Sequence, residues 1–126
     1  MSSATESAKE LALVAARAAD DKLGLDIAIL DVSSVLAITE VFVITSASNS
    51  RQVKTIASEV TDKVRETLGR SPLHSEGAGE QQWVLLDYGD IVVHVFADEA
   101  RRFHEIERLY LDMPKIAFGP VVPKEA

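Results

Sequence analysis

Cysteine is absent from the chain, which excludes a disulfide framework, a thiolate metal site and a cysteine nucleophile, and makes a reducing compartment its natural home. Long apolar runs are absent too. None approaches the ~18 residues of a membrane span, and the opening MSSATESAKE has no basic segment followed by an apolar one. Together these absences predict a cytoplasmic protein with no membrane partner. Basic charge is scarce: 13 Lys and Arg stand against 20 Asp and Glu, for a formal charge of −7. That balance argues against a general phosphate-tracking surface; it serves solubility or suits a basic protein partner. A glycine-rich phosphate loop is missing as well, since the turn before the longest helical segment reads TSASNS.

What is there suffices for one core. Hydrophobic residues make up 47% of 126 positions, typical of a folded soluble chain and well away from disorder. Leu11, Val14, Ala15 and Ala18 recur at helical steps, predicting a helix from about Ser7 to Leu23, with Ser7 and Glu10 spaced as a capping box and Gly24 as its stop. DIAILDV (26–32) and VFVIT (41–45) read as short β-branched strands around a loop at 33–40. Val53, Ile56, Ala57, Val60 and Val64 stripe a second helix over about 49–68, with Ser48 or Ser50 as N-cap and Gly69 as C-cap. After a short extended stretch (72–75) and the loop EGAGE come two strands, QQWVLLD (81–87) and IVVHVF (91–96), joined as a tight hairpin by Tyr88-Gly89-Asp90.

A last helix is predicted over 98–112, ended by Pro114. The remainder, KIAFGPVVPKEA, is either a solvated tail or an extended strip laid on the domain. The order of elements predicts an α/β fold: one domain over 1–112 with a mixed, about five-stranded sheet covered by helices, and a C-terminal tail at 113–126. One face of such a sheet, only partly covered, would be open to a partner.

Few residues carry chemistry. His74, His94 and His104 lie on different elements with no ligand spacing, so no metal site is predicted. His94 points with Val92 and Phe96, either as a satisfied structural or interface histidine or in a titrating role. Asp87 and Asp90 bracket the hairpin as turn residues or as metal ligands. Ser46, Ser48, Ser50 and Arg51 cap the second helix or form an anion site there. Trp83 alternates with Leu85 and Asp87, while Val84, Leu86 and Tyr88 share the other face; the indole is a core anchor or a binding hot spot.

Three stretches, DIAILDVSSVLAITEVFVITSASNSRQV (26–53), WVLLDYGDIVVHVF (83–96) and EARRFHEIERLY (99–110), resemble the ribosomal silencing factor (Iojap-related) family in order and spacing. The resemblance spans nearly all of 7–112, with Glu40, Ala47, His104 and Tyr110 departing from the commonest pattern. It implies a domain related to the nucleotidyltransferase fold without its catalytic carboxylates, no enzymatic activity, no cofactor, and a homodimer when free. It also implies binding to the large ribosomal subunit through ribosomal protein fourteen, so that the small subunit cannot join when nutrients are short. A minor contact with ribosomal RNA comes in addition to that partner; the alternatives are a role in large-subunit assembly or a surviving metal-dependent nucleotidyl transfer using Asp87, Asp90 and Asp31. On this reading the partner-binding patch is Trp83, Asp87, Tyr88, Asp90 and His94, continued by Arg102, Phe103 and Tyr110.

Overall fold

The computed structural model describes residues 4–77, 79, 82–104, 108 and 113–117, with backbone only at 102–104. In chain order the elements are α1 (Glu6–Asp21), β1 (Leu25–Asp31), β2 (Val41–Ala47), α2 (Ser50–Leu68), β3 (His74–Glu76), β4 (Trp83–Asp87), β5 (Ile91–Ala97) and α3 (Asp98–His104). The strands form one mixed five-stranded sheet, as the sequence predicts, and their order is β1-β2-β5-β4-β3. β2 pairs with β5 in parallel from Val41↔Ile91 to Ala47↔Ala97, and the other neighbours are antiparallel.

Period-two alternation sorts the side chains into two layers. Ile29, Val41, Val43, Val84, Leu86, Tyr88, Ile91, Val93 and Val95 face α1 and α2, whose Leu11, Ala15, Val53, Ile56 and Val60 complete the main core. Alanines at 8, 12, 15, 16 and 19 of α1 are fully buried, so that helix lies close against its neighbours. The opposite face carries Leu30, Phe42, Ile44 and Phe96, with Leu36, Trp83, Val92 and Met113 packed around them. No helix as long as α1 or α2 is among these.

The caps differ in detail from the sequence expectation. Thr5 Oγ1 accepts from Ala8 N at 3.2 Å, in place of a capping box at Ser7. Asn49 Oδ1 accepts from Gln52 N at 2.9 Å, in place of either neighbouring serine. Gly69 caps α2 in the left-handed conformation (φ 68°) as expected. After α1, however, Leu23 takes the left-handed position (φ 66°). Gly24 is needed for another reason: a Cβ there would lie 2.7 Å from Thr45 Oγ1.

Two further ties fix the ends. Ala4 N donates to Asp31 Oδ2 at 3.0 Å and Thr5 N to Glu40 Oε1 at 2.7 Å, pinning the start of α1 across the sheet. Residues 114–116 run alongside β1, with Asp31 N donating to Pro114 O at 2.8 Å and Ile116 N to Ile29 O at 2.9 Å; residues 118–126 lie outside the described residues. Of the helix predicted to reach residue 112, the structure describes α3; the positions from 105 to 107 and from 109 to 112 lie outside the described residues.

The β4–β5 hairpin is clamped from α2's end. Arg70 donates through Nη1 and Nη2 to both Asp90 carboxylate oxygens, at 3.1 and 2.9 Å, and through Nη2 to Tyr88 O at 2.8 Å. A bidentate, partly shielded pair of this kind exceeds an ordinary surface ion pair. Arg70→Ala is expected to lower stability by about 1–2 kcal/mol. In a double-mutant cycle with Asp90→Asn, followed by urea unfolding, the coupling should be about 1 kcal/mol; additive losses would show that the pair contributes nothing.

Candidate functional site

The face opposite the two long helices holds an open groove of about 360 Å³, lined by Leu36, Ile38, Thr39, Phe42, Leu73, Leu85, Asp87, Gly89, Val92 and His94. Three strands and the loops beside them make it. Alternation along β2, β4 and β5 supplies Phe42, Leu85, Asp87, Val92 and His94, and the pairings Leu85↔His94 and Asp87↔Val92 bring them side by side. The 33–40 loop lays Leu36 and Ile38 along one wall, and Leu73 stands just before β3 on the other. Ile38 is 87% exposed and Leu73 77%, although both are large and apolar.

Beside the groove lies an aromatic cluster. The His94 ring meets Phe42 edge to face (centroids 4.7 Å, 71°) and lies nearly parallel to Phe96 (6.1 Å, 11°), while Trp83 packs on Phe96 at 4.9 Å. Trp83 Nε1 donates to His94 Nδ1 at 3.1 Å. An indole nitrogen only donates, so Nδ1 carries the lone pair and the neutral ring holds its proton on Nε2. Burial pushes the His94 pKa down from the ordinary 6.5 to about 4. The ring is therefore neutral at physiological pH.

The predicted patch is thus partly assembled. Trp83, Asp87 and His94 share one face, as alternation requires, and Asp87 and His94 line the groove. Tyr88 departs from the patch: it is 1% exposed, packed with Val84 and Leu86 beneath the helices, and burial pushes its phenol up to about 12. Asp90 departs too, because both its oxygens are held by Arg70. The backbones of Arg102 and Phe103 lie in α3, and Tyr110 lies outside the described residues. Leu36, Ile38, Phe42, Leu73 and Val92 were not singled out from sequence. The signal for Ile38 was an aliphatic residue in a loop, and that for Phe42 was its alternation with Ile44.

The carboxylates of the metal-site reading are engaged separately. Asp87 Oδ1 accepts from Gly89 N at 2.8 Å, the turn bond expected of it. Asp31 is 8% exposed. Although burial raises its pKa, hydrogen bonds from the Ser33 hydroxyl and from Ala4 N and Ser33 N hold it below the usual value. Nor do the serines before α2 form one cluster. Ser46 is buried and accepts from Arg101 Nη1 at 3.1 Å, while Arg101 also donates to Leu25 O and Asp26 O, tying α3 to the bulged start of β1.

The His94 shift has a stability consequence. Between pH 6.5 and about 4 the unfolded chain binds a proton that the folded ring refuses, so stability is complete above that window and declines as pH falls through it. The loss approaches about 3 kcal/mol, from ~1.4 kcal/mol per unit. In urea unfolding from neutral pH down to about 4, His94→Gln should flatten this decline relative to the parent. Parallel pH profiles would place the titration elsewhere.

Comparison with known proteins assigns the chain to a family. A family model described as ribosomal silencing factor during starvation matches residues 5–126. The chain is similar to the ribosomal silencing factor RsfS of Bacillus subtilis strain 168, 38% identical over 106 residues that cover 84% of this chain and 89% of the relative. It is more distantly similar, at 26% identity over 87 residues covering 68% of this chain and 38% of the relative, to a Mus musculus protein named mitochondrial assembly of ribosomal large subunit protein 1. A crystal structure of a Chromobacterium violaceum protein, 34% identical, has a TM-score of 0.79 and covers 93% of this chain and 98% of its own. With a matching model over nearly its full length and a relative above 30% identity across most of both chains, this chain belongs to the ribosomal silencing factor family.

Proposed function

We propose that the protein represses translation without catalysis, by docking its open sheet face on the large ribosomal subunit, through ribosomal protein fourteen, and occupying space that the small subunit must enter. The observation that carries this reading is the groove: a concave apolar surface whose rim exposes Ile38 and Leu73 and bears the carboxylate of Asp87. Apolar area left in water costs about 25 cal/mol for each Å², and a contiguous patch of this kind is the usual mark of an interaction surface. A formal charge of −7 suits a basic ribosomal protein as the partner. The family's name supports a role in silencing ribosomes, and the name of the mouse relative supports the large subunit as the particle concerned. Function then resides in affinity and position, in the cytoplasm, with no cofactor. The free protein covers the same face by forming a homodimer, so that dimerisation and ribosome binding compete.

In sedimentation the protein should travel with free large subunits and be scarce on small subunits and joined ribosomes. Added before the subunits are mixed it should lower the yield of joined particles, and added to a stable preformed pair it should do little. Equal recovery on all three particles would sink the occlusion mechanism. The groove itself is tested by charge: Ile38→Asp and Leu73→Asp alter exposed side chains, so each should change stability by less than about 1 kcal/mol. Each should nevertheless weaken large-subunit binding at least tenfold, since an apolar contact is lost and a carboxylate is desolvated. Light scattering should show the same variants shifted from dimer to monomer. Folded variants that bind and dimerise like the parent would move the interface off the groove.

A further inference from the structure

The 88–90 turn between β4 and β5 holds both walls of the groove and is itself held from outside it. Its carbonyl at Asp90 accepts from Thr39 Oγ1 at 3.1 Å and from Glu40 N at 2.8 Å, which seats the end of the 33–40 loop and with it Ile38. Just before the turn, Asp87 O accepts from Leu73 N at 2.7 Å. The Leu73 side chain lies against Gly89, where an added Cβ would come within 3.2 Å of its Cδ1. The two exposed apolar residues on the rim are thus anchored to one short piece of backbone, Ile38 from one side and Leu73 from the other. Arg70 fastens that piece. Its guanidinium spans both Asp90 carboxylate oxygens and Tyr88 O, and it follows directly on Gly69, the C-cap of α2. Arg70 itself does not line the groove.

We propose that Arg70 is the positioning residue of the docking groove: it fixes the spacing of the Ile38 and Leu73 rims by locking the turn to which both are anchored, and so sets the affinity of this face without touching the partner. This rests on the docking reading above and names the residue that prepares the site. The gain is entropic. A partner seated between two loop-borne side chains must order them, and loops ordered in advance spare the complex that cost. A guanidinium suits the task because its planar fork fits a carboxylate in one geometry, whereas an ammonium binds as a point charge in many. Here the acceptors belong to two residues of the turn, so the fork fixes the orientation of the turn as well as its place. Without the fork, the turn keeps its own bonds, Gly89 N to Asp87 Oδ1 at 2.8 Å and Tyr88 N to Ile91 O at 2.9 Å. The hairpin then persists while its walls relax.

A double-mutant cycle read on binding tests this, with amide exchange beside it. Arg70→Ala and Asp90→Asn should each weaken binding to purified large subunits about five- to tenfold. The double variant should be no worse than either single, because each single already undoes the same device. Val60→Ala, which removes volume from the fully buried layer beneath the helices, should melt at a lower temperature and yet bind as the parent does. In exchange followed by mass spectrometry, at dilutions where light scattering shows monomer, peptides carrying the Glu40 and Leu73 amides should exchange faster in Arg70→Ala and be unchanged in Val60→Ala. If either folded single binds like the parent, or if those amides stay as protected as before, the inference is overturned while the docking reading stands. Additive losses would also overturn it, since Arg70 and Asp90 would then each meet the partner directly, and so would an equal loss of binding in Val60→Ala. A parent that does not bind large subunits removes both readings together. Should Arg70→Ala fail to fold, Arg70→Lys takes its place, keeping the charge without the fork; binding equal to the parent's would overturn the inference.

Discussion

Parallel pairing of β2 with β5 is the constraint on which the other arrangements depend. A parallel neighbour cannot be reached by a hairpin, so the chain must travel the length of the sheet between the two strands, and α2 with the β3–β4 excursion makes that journey. The excursion leaves β4 antiparallel to β5 and puts β3 on one edge, while β1 closes back on β2 and forms the other. Strands in the middle of such a sheet are covered on both sides. All seven residues of β2 are buried, and six of seven in β5.

The cover is unequal. α1 and α2 lie on one side, where close-packed alanines and valines leave little polar surface. The other side is covered in pieces by the 33–40 loop, α3, the 113–117 strip and the aromatic cluster. The first three have their own tethers: Arg101 for α3, the β1 ladder for the strip, and Asp90 O accepting from Thr39 Oγ1 at 3.1 Å and Glu40 N at 2.8 Å for the loop. Separately tethered pieces leave gaps between them, and the groove is such a gap. It exists because the sheet supplies its floor and loop residues supply its walls.

Much of this was legible in the sequence, because period and composition report local structure. The helical stripe of Val53, Ile56, Val60 and Val64 and the alternation in WVLLD and IVVHVF gave element types, faces and the mixed five-stranded sheet. The same alternation already set Tyr88 with Val84 and Leu86, so its place beneath the helices was readable, although the resemblance to a family drew it into the patch. Asp90 was different. Its partner, Arg70, lies 20 residues away, and nothing in the local pattern around YGD announces a guanidinium. Similarly, that Trp83 and His94 would share a bond depended on the register Trp83↔Phe96, which a hairpin loop can shift by one without altering either strand's composition. The caps failed on a finer scale, since Ser48, Asn49 and Ser50 are all competent capping residues and only the entry angle of the chain selects among them.

The seven-residue register between β2 and β5 also limits how this sequence can vary in length. Inserting or deleting one residue inside β5 would turn every side chain beyond that point to the other face. The neutral imidazole and Phe96 would then enter the alanine and valine layer beneath the helices, and small aliphatic residues would replace the aromatic cluster. The layer beneath the helices would be overfilled and the other left with cavities. Length changes in descendants of this chain should therefore collect outside the paired strands, as in the 33–40 loop, and be missing from the fourteen paired positions at the sheet's centre. Extra residues in 33–40 would at the same time reshape a wall of the groove, so tolerance of length and choice of partner are linked in that loop.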